Sequence, residues 1–344
     1  MIKEFVNKYD PQNQFDVLVK SYSQVEKAWN THFENPGFDI KEIKNIVISG
    51  LGGSAIGGEL LTDFLSDELS IPVSINRNYG LPNFANENTL VIASSYSGNT
   101  EETLDAANTA LKRGSKIICV TTGGKLYDFA EENNLPVFVM QSGFQPRYAL
   151  YSSFFALLKV FQTLGLIENQ DDFVTEIVEL LKNNGEIYSQ ENNYAQEIAE
   201  KLIGFVPIIY GVVNKTGTLA VRLKGQFNEN SKSHAFYNLF PEMNHNEIIG
   251  WETQNESKLR AKVLIFRDKS YHRQIQKRIE ISSALIKKSG TEIIFFESSF
   301  DKFKVRLFDL VYLGDWVTHY LAILRKHDPS EIDNIMYLKS KLQD

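Results

Sequence analysis

Cysteine is almost missing from this 344-residue chain, which contains a single one, Cys119. One thiol excludes a disulfide within the chain. Cys119 lies in the apolar run of residues 117–120, where a buried, unreactive thiol is far more common than a nucleophile. The sequence therefore predicts no cysteine chemistry.

An excess of basic residues is also missing, since 36 lysines and arginines face 43 aspartates and glutamates, for a net charge of −7. This balance argues against general attraction to nucleic acid or an anionic membrane, so any anion site must be local. Residues 1–10 contain no apolar signal segment, and no stretch is expected to reach the length of a membrane span. We therefore expect a cytoplasmic protein with no nucleic-acid and no membrane partner.

Histidine is scarce, and the six histidines show neither His-x-His nor His-Glu-x-x-His spacing. These spacings are typical of zinc sites. The sequence therefore predicts no metal site.

Strand-like and helix-like segments alternate along most of the chain, a pattern typical of mainly parallel sheets covered by helices. A leading helix is predicted over residues 12–33. The predicted strands are 44–50, 72–76, 89–95, 115–121, 136–140, 206–211, 234–239, 262–267 and 291–297. The predicted helices between and after them are 54–66, 99–113, 125–133, 217–227, 271–288 and 303–326, with a helical stretch over 147–204.

The length allows two domains, each with its own core. We predict an N-terminal domain over residues 1–155 with the leading helix, a helical connection over 156–204, and a C-terminal domain over 205–344 that ends in helices. Both are expected to be α/β domains with a doubly wound, mainly parallel sheet flanked by helices.

The segment 94–102 follows an apolar strand and opens a helix with three hydroxyl side chains, those of Ser95, Ser97 and Thr100. Free backbone N–H groups and the helix dipole attract an anion at such a position, and hydroxyls add hydrogen bonds without a fixed charge. This arrangement suits a phosphate. Ordinary capping of the helix by Ser97 or Asn99 is an alternative explanation.

A second small-residue turn, containing Gly52, Gly53 and Ser54, follows the strand at 44–50 and also opens a helix. It lacks the third glycine of the Rossmann spacing, and no Gly-Lys-Ser/Thr follows it. Two such turns at the carboxyl ends of parallel strands favour a small phosphorylated ligand in the crevice of a doubly wound sheet.

Polar residues are dense in two later loops, which contain Glu229 and His245. A carboxylate held beside an imidazole can divide proton transfer, the carboxylate acting as base and the imidazole as acid. A solvated helix end at Glu229 and an ordinary turn residue at His245 are the alternatives.

The motifs, in this order, closely resemble the bifunctional phosphoglucose/phosphomannose isomerase family of the sugar isomerase (SIS) fold. The segments that carry the resemblance are Gly-Leu-Gly-Gly-Ser at 50–54, Ser-Tyr-Ser-Gly-Asn-Thr at 95–100, Gln-Pro-Arg at 145–147, Asn-Glu-Asn-Ser-Lys at 228–232 and Pro-Glu-Met-Asn-His-Asn-Glu at 241–247. The resemblance extends from about residue 40 to the C-terminus and implies two SIS domains.

The resemblance also implies roles for individual residues. Ser54, Ser95, Ser97 and Thr100 would hold the sugar phosphate, with Gly52 and Gly53 in the substrate loop. Arg147 would face the reacting carbons, although a surface ion pair at a helix start is its alternative. Glu229 would be the base, and His245 would assist ring opening.

A lysine near the C-terminus is also implied, and Lys339 is our match, although a solvated lysine is the alternative and Lys341 lies on the same predicted helix.

The implied reaction interconverts glucose 6-phosphate and mannose 6-phosphate with fructose 6-phosphate through a cis-enediol, without a metal or another cofactor. A phosphorylated hexose is thus the expected partner, and the family implies a homodimer in which His245 reaches a neighbouring site. A non-catalytic SIS module that senses a phosphosugar is the alternative function. A glucosamine 6-phosphate-forming amidotransferase would need an N-terminal cysteine nucleophile, and the chain starts Met-Ile-Lys.

Overall fold

A computed structural model of the chain describes residues 2–256 and 258–341, with the side chain of Lys339 outside the description. In chain order the elements are α1 (Ile2–Tyr9), α2 (Gln14–Val19), α3 (Ser21–Asn30), β1 (Asn45–Ser49), α4 (Gly52–Phe64), β2 (Val73–Asn76), β3 (Thr89–Ser95), α5 (Glu101–Lys112), β4 (Lys116–Thr121), α6 (Gly124–Glu132), β5 (Val137–Val139), α7 (Leu150–Thr163), α8 (Asp171–Tyr188), α9 (Tyr194–Leu202), β6 (Val206–Val212), α10 (Gly217–Glu229), β7 (Phe236–Phe240), α11 (Glu247–Gly250), β8 (Ala261–Phe266), α12 (Arg273–Lys288), β9 (Ile293–Phe296), α13 (Phe303–Leu324) and α14 (Asp333–Lys341).

These elements confirm the predicted alternation, and each of the nine predicted strands is present. The predicted leading helix over 12–33 is wrong as a single helix, because Lys20 leaves helical geometry between α2 and α3, with ψ of 14°. Helix α1 was not predicted from the sequence.

The chain forms two compact units. The first unit is Lys20–Lys182, and the second contains the described residues of Met1–Val19 and Asn183–Asp344. The predicted connection over 156–204 is helical, and the boundary between the units falls inside it, within α8. The leading segment up to Val19 belongs to the second unit.

The first unit contains a five-stranded sheet in the order β2-β1-β3-β4-β5, and each neighbouring pair is parallel. Strand β3 is buried along its whole length, as expected for a central strand with helices on both faces. Strands β1 and β3 are neighbours, with Ser49 opposite Ala93. Because the strand order reverses between them, their carboxyl ends open the crevice in which doubly wound sheets bind ligands.

Cys119 lies in the core of this unit, where it packs with Val91 and with Ala106, Ala107 and Ala110 of α5. Its side chain is fully buried, and burial raises the pKa of the thiol to about 12. A protonated, inaccessible thiol is unreactive, as predicted.

The second unit contains a four-stranded parallel sheet in the order β7-β6-β8-β9. This order matches the first four positions of the other sheet. The prediction of two doubly wound, parallel α/β sheets is therefore confirmed.

Helix α13 is long and apolar enough to cross a membrane by length and composition, so the expectation that no stretch reaches that length is wrong. Its most apolar window is 89% buried inside the protein, which makes it a core helix. Asp315 on this helix receives a 2.7 Å hydrogen bond from Arg222 of α10, so its charge is paired inside the core.

His319, also on α13, is completely buried, and neither ring nitrogen has a hydrogen-bond partner within the described residues. Its Nε2 lies 3.8 Å from a carboxylate oxygen of Asp10, which caps the start of α2 by accepting from the N–H groups of Gln14 and Phe15. Burial lowers the pKa of His319 to about 4, and the charges of Asp10 and Asp328 oppose this shift only in part. The folded protein therefore holds a neutral imidazole.

We expect acid to destabilise the fold through His319. The pKa is lower in the folded chain than in the unfolded chain, so this stability is present above about pH 6.5 and is lost progressively as the pH falls toward 4. Urea unfolding between pH 7.5 and 4.5 should show a flatter pH dependence for His319→Gln than for the native chain. The exposed His32 offers the control, His32→Gln, which should keep the native slope. Equal slopes for all three proteins would contradict this prediction.

Candidate active site

The turn after β1 meets the turn after β3 at the crevice of the first sheet. A Cβ atom on Gly50 would lie 2.7 Å from the carbonyl oxygen of Ser94, so a glycine is needed for this approach. The Oγ of Ser54 accepts a 3.1 Å hydrogen bond from the N–H of Tyr96. The structure thus brings Ser54 to the turn at residues 95–100, called the hydroxyl turn below. The sequence predicted that two adjacent strand ends would meet in this way.

The hydroxyl turn is held by its own side chains. The hydroxyls of Ser95 and Thr100 lie 2.8 Å apart, and the N–H groups of Gly98 and Asn99 donate to the hydroxyls of Ser95 and Ser97. Ser95 is buried, whereas Ser97 is exposed to solvent. The hydroxyls of Ser95 and Thr100 therefore meet at the carboxyl end of β3, and Ser97 lies in the same turn.

Thr100 is the N-cap residue of α5, but its side chain makes no capping hydrogen bond. The alternative explanation was capping of this helix by Ser97 or Asn99. Ser97 Oγ accepts from the N–H of Asn99, and Asn99 Oδ1 accepts from the N–H of Lys125, so neither of these bonds caps α5. The first N–H groups of a helix need acceptors from outside the helix. An anion placed here would receive both these groups and the positive end of the helix dipole.

Arg147 lies beside the glycine-rich turn. A Cβ atom on Gly53 would lie 2.8 Å from the carbonyl oxygen of Pro146, so the absence of a side chain at 53 lets the segment with Arg147 approach. Arg147 is only 6% exposed, which makes the predicted alternative of a surface ion pair wrong. The first unit thus brings together the turn with Gly52, Gly53 and Ser54, the turn with Ser95, Ser97 and Thr100, and the backbone at Arg147.

Tyr96 was missed by the sequence analysis. It is buried between hydroxyl-bearing neighbours, and its hydroxyl donates to the carbonyl oxygen of Gln141 and accepts from the N–H of Phe144. It therefore ties the hydroxyl turn to the segment that leads to Arg147. Burial raises its pKa, so it stays a neutral donor.

A second missed feature is the glycine pair after β4. Gly98 has a φ of +70°, and a Cβ on it would lie 1.7 Å from the carbonyl oxygen of Gly123. Two consecutive glycines after a predicted strand are the signal that would have indicated this close backbone approach.

Replacing Gly98 by alanine should therefore distort the hydroxyl turn. We expect the free energy of unfolding to fall by about 2–4 kcal/mol, from the positive φ and the clash together, with a large loss of phosphate binding. Urea unfolding and calorimetric titration with phosphate measure both effects. Gly225, inside α10 with no atom within 4 Å of its Cβ position, gives the control: Gly225→Ala should leave phosphate binding unchanged. Native stability in Gly98→Ala would contradict this prediction.

Glu229 belongs to the second unit, where it is the last residue of α10 and is half-buried. Its carbonyl oxygen accepts a 2.8 Å hydrogen bond from Lys232 Nζ, which also donates to the carbonyl oxygen of Asp328. Ser231 Oγ donates to the carbonyl oxygen of Thr318 on α13. The loop that starts at Glu229 is thus fixed by core helix α13.

His245 also belongs to the second unit and lies in a single helical turn, Glu242–His245, after β7. It is exposed, and no hydrogen bond of its ring is present among the described residues. Nearby Glu247 was not predicted as a site residue. It accepts hydrogen bonds from Tyr210 and Asn238, and so fixes the segment after His245.

Glu229 and His245 lie at opposite ends of the strands of the second sheet. Helix α10 runs back from the carboxyl end of β6, so Glu229 lies at the amino ends of the strands, where β7 begins, and His245 lies at the carboxyl ends, where β7 ends. The length of β7 alone separates these two ends by roughly 17 Å. One copy of the second unit therefore does not place this carboxylate beside this imidazole.

Lys339 lies on α14, and its side chain is outside the described part of the structure. Its assignment stays a prediction.

Known proteins resemble this chain over most of its length. Residues 191–342 match the model of the bacterial phospho-glucose isomerase C-terminal SIS domain, and residues 39–164 match the SIS domain. The bifunctional phosphoglucose/phosphomannose isomerase of Caldicellulosiruptor bescii is 43% identical over 96% of this chain and 99% of its own length. The protein of that name from Aquifex aeolicus is 36% identical over 94% of this chain and 98% of its own length.

Among solved structures, a hypothetical protein from Thermus thermophilus superposes with a TM-score of 0.73 at 14% identity, covering 99% of this chain and 92% of that one. This likeness supports the fold alone. The two curated relatives are similar over nearly their full lengths, and the chain therefore belongs to the bifunctional phosphoglucose/phosphomannose isomerase family.

Proposed function

We propose that the protein is an aldose–ketose isomerase that interconverts glucose 6-phosphate and mannose 6-phosphate with fructose 6-phosphate, without a metal or other cofactor. The uncapped start of α5 behind the hydroxyls of Ser95, Ser97 and Thr100 carries this proposal. It is a site for a small anion, and buried Arg147 lies next to the adjoining glycine-rich turn.

Anchoring the phosphate with Ser54, Ser95, Ser97 and Thr100 leaves the other end of the sugar free to react. Binding energy from the phosphate can then orient C1 and C2. His245, together with Lys339, would assist opening of the sugar ring and expose the C1 carbonyl.

Glu229 would then remove the proton from C2 of the aldose, and the electrons of that bond would pass to the carbonyl oxygen to form a cis-enediolate. Arg147 would stabilise the negative charge on oxygen. Return of a proton to C1, with transfer of the O2 hydroxyl proton to O1, gives fructose 6-phosphate. Because the stereochemistry at C2 is lost in the intermediate, one base can serve both epimeric aldoses if the sugar rotates enough to present either C2 hydrogen to Glu229.

We further propose a cytoplasmic homodimer with shared active sites. Glu229 and His245 lie at opposite ends of the strands of the second sheet. This supports active sites shared between copies, since a second copy can supply one of the two groups. Phosphorylated sugars carry charges that prevent their passage through membranes, and this supports a cytoplasmic location for the protein.

The function is tested by incubating EDTA-treated protein with fructose 6-phosphate in deuterated water and following the products by proton NMR. Deuterium at C2 of both glucose 6-phosphate and mannose 6-phosphate would support an enediol isomerase that acts on both epimers. One labelled epimer would restrict the specificity. Binding of fructose 6-phosphate without turnover would favour a non-catalytic phosphosugar sensor.

Shared sites predict complementation between two impaired variants. If Glu229 and His245 of one site come from different copies, a dimer of Glu229→Gln with His245→Ala contains one site with both native groups. Unfolding and refolding an equal mixture should then restore about a quarter of native activity, because half of the dimers are mixed and each has one intact site. Refolding each variant alone is the control. A mixture no more active than the mean of its parents would contradict sharing.

A further inference from the structure

Lys125 lies directly beside the hydroxyl turn, in the first turn of α6. Its N–H donates a 3.2 Å hydrogen bond to the Oδ1 of Asn99, and the next N–H, that of Leu126, donates to the carbonyl oxygen of Gly98. The start of α6 is thus hydrogen-bonded to the turn that holds Ser97.

Glycines keep this contact free of intervening side chains. A Cβ on Gly124 would lie 2.7 Å from the carbonyl oxygen of Ser97, and the one on Gly98 would collide with Gly123. Lys125 is therefore the first residue of α6 with a side chain, and its own backbone N–H is hydrogen-bonded to the turn.

A phosphate bound at the hydroxyl turn would lack a positively charged partner among its predicted ligands. Its four predicted phosphate ligands are all neutral, and the first turn of α5 adds Glu101 and Glu102. These carboxylates also act on a neighbouring side chain. The charge of Glu102, with smaller contributions that include Glu101, raises the pKa of Tyr79. A phosphate dianion bound here would be repelled by the same carboxylates.

The ammonium group of Lys125 is available to offset this repulsion. It has no hydrogen bond and no ion pair with any residue in the described part of the chain, and its side chain is exposed. Asp128, one turn further along α6, is exposed and forms no ion pair with it. The charge of Lys125 is thus not used for structure.

We propose that Lys125 supplies the fixed positive charge of the phosphate site and makes the site select the dianion of a sugar phosphate over the monoanion. The inference rests on the proposed function, since it assigns the hydroxyl turn to the substrate phosphate. A lysine suits this role because its ammonium is a compact point charge that hydrogen-bonds phosphate without a fixed geometry. The charge matters for binding and leaves the reacting carbons to Arg147 and Glu229.

The test compares Lys125→Met, which keeps most of the stem, with Lys125→Arg and the native protein at pH 8 and pH 5.5. The second pKa of a sugar phosphate is near 6, so the dianion dominates at pH 8 and the monoanion at pH 5.5. Glu101, Glu102 and Asp128 are the charged groups near Lys125, and they are the same in all three proteins. The ratio of variant to native KM cancels the pH effects of all groups that the two proteins share.

For Lys125→Met we expect KM for fructose 6-phosphate to rise about tenfold at pH 8 and only about twofold at pH 5.5, with kcat nearly unchanged. Lys125→Arg should recover most of the loss. The control is Lys112→Met, because Lys112 is an exposed lysine in the last turn of α5, about 18 Å along the helix from the turn. It should leave KM unchanged.

An unchanged KM in Lys125→Met at pH 8, an equal rise at both pH values, or an equal rise in Lys112→Met would overturn the inference. If the native protein does not isomerise fructose 6-phosphate, the proposed function fails separately. Calorimetric binding of fructose 6-phosphate to the same variants then decides the role of Lys125, and a native protein that does not bind it would overturn both proposals.

Discussion

Replacing Glu229 by glutamine is expected to lower kcat for fructose 6-phosphate isomerisation by about 10²–10⁴-fold, the range typical of a lost general base. Glutamine keeps the shape of the side chain but does not accept the C2 proton. The proposed phosphate ligands lie on other elements, so KM should change little. Steady-state kinetics measures both quantities, and the deuterium incorporation at C2 should fall with kcat.

A structural effect must be separated from the loss of the base. The loop after Glu229 is fixed by backbone and neighbouring side-chain contacts, among them Lys232 Nζ to the carbonyl oxygen of Glu229. Glutamine at 229 keeps that carbonyl, so the variant should unfold at the native urea concentration.

Glu132 gives a matched control, since it ends α6 as Glu229 ends α10 and is exposed. Glu132→Gln should keep native kcat. A Glu229→Gln variant within a few-fold of native kcat would exclude Glu229 as the base.

The sequence predicted the sheets well because buried parallel strands and the turns after them leave strong local signals. Strand β3 is a continuous apolar run that ends in hydroxyls, and the glycine-rich turn follows β1 directly. Strand order, which places these two turns side by side, comes from the doubly wound pattern. The meeting of these two turns was therefore predictable from the sequence.

Other features depend on contacts distant in the chain and leave no such signal. In the sequence Tyr96 looks like an ordinary turn residue, because its hydrogen bonds to Gln141 and Phe144 depend on a segment more than 40 residues away. The leading segment up to Val19 joins the second unit through α13, as in the hydrogen bond from Tyr312 to the carbonyl oxygen of Leu18. Periodicity within a segment carries no information on which distant helix will cover it.

The separation of Glu229 from His245 shows the same limit at the candidate site. Both loops stood out in the sequence as dense polar segments, and a pair acting together was one interpretation of them. Only the direction of α10 relative to β7 places Glu229 and His245 at opposite ends of the strands. Residue types thus indicated the chemistry, whereas the source of each group in one site required topology.

Replacing Arg147 by methionine is expected to lower kcat/KM by about 10²–10³-fold, as for the loss of a donor that stabilises an oxyanion. Arg147 is 6% exposed, so its charge is screened less by water than a surface charge would be. The negative charge of an enediolate develops only during the reaction. The loss should therefore fall mainly on kcat, with a smaller rise in KM.

Arg147→Lys separates charge from geometry. Lysine restores the positive charge but lacks the planar group that can donate two parallel hydrogen bonds, so we expect only partial recovery. The buried position makes some loss of stability expected in both variants, and urea unfolding measures it. Inorganic phosphate should still bind both variants as it binds the native protein, because the hydroxyl turn belongs to β3 and α5. Loss of phosphate binding together with activity would mean that Arg147 holds the crevice in shape, whereas loss of kcat with phosphate binding intact places its action at the reacting carbons.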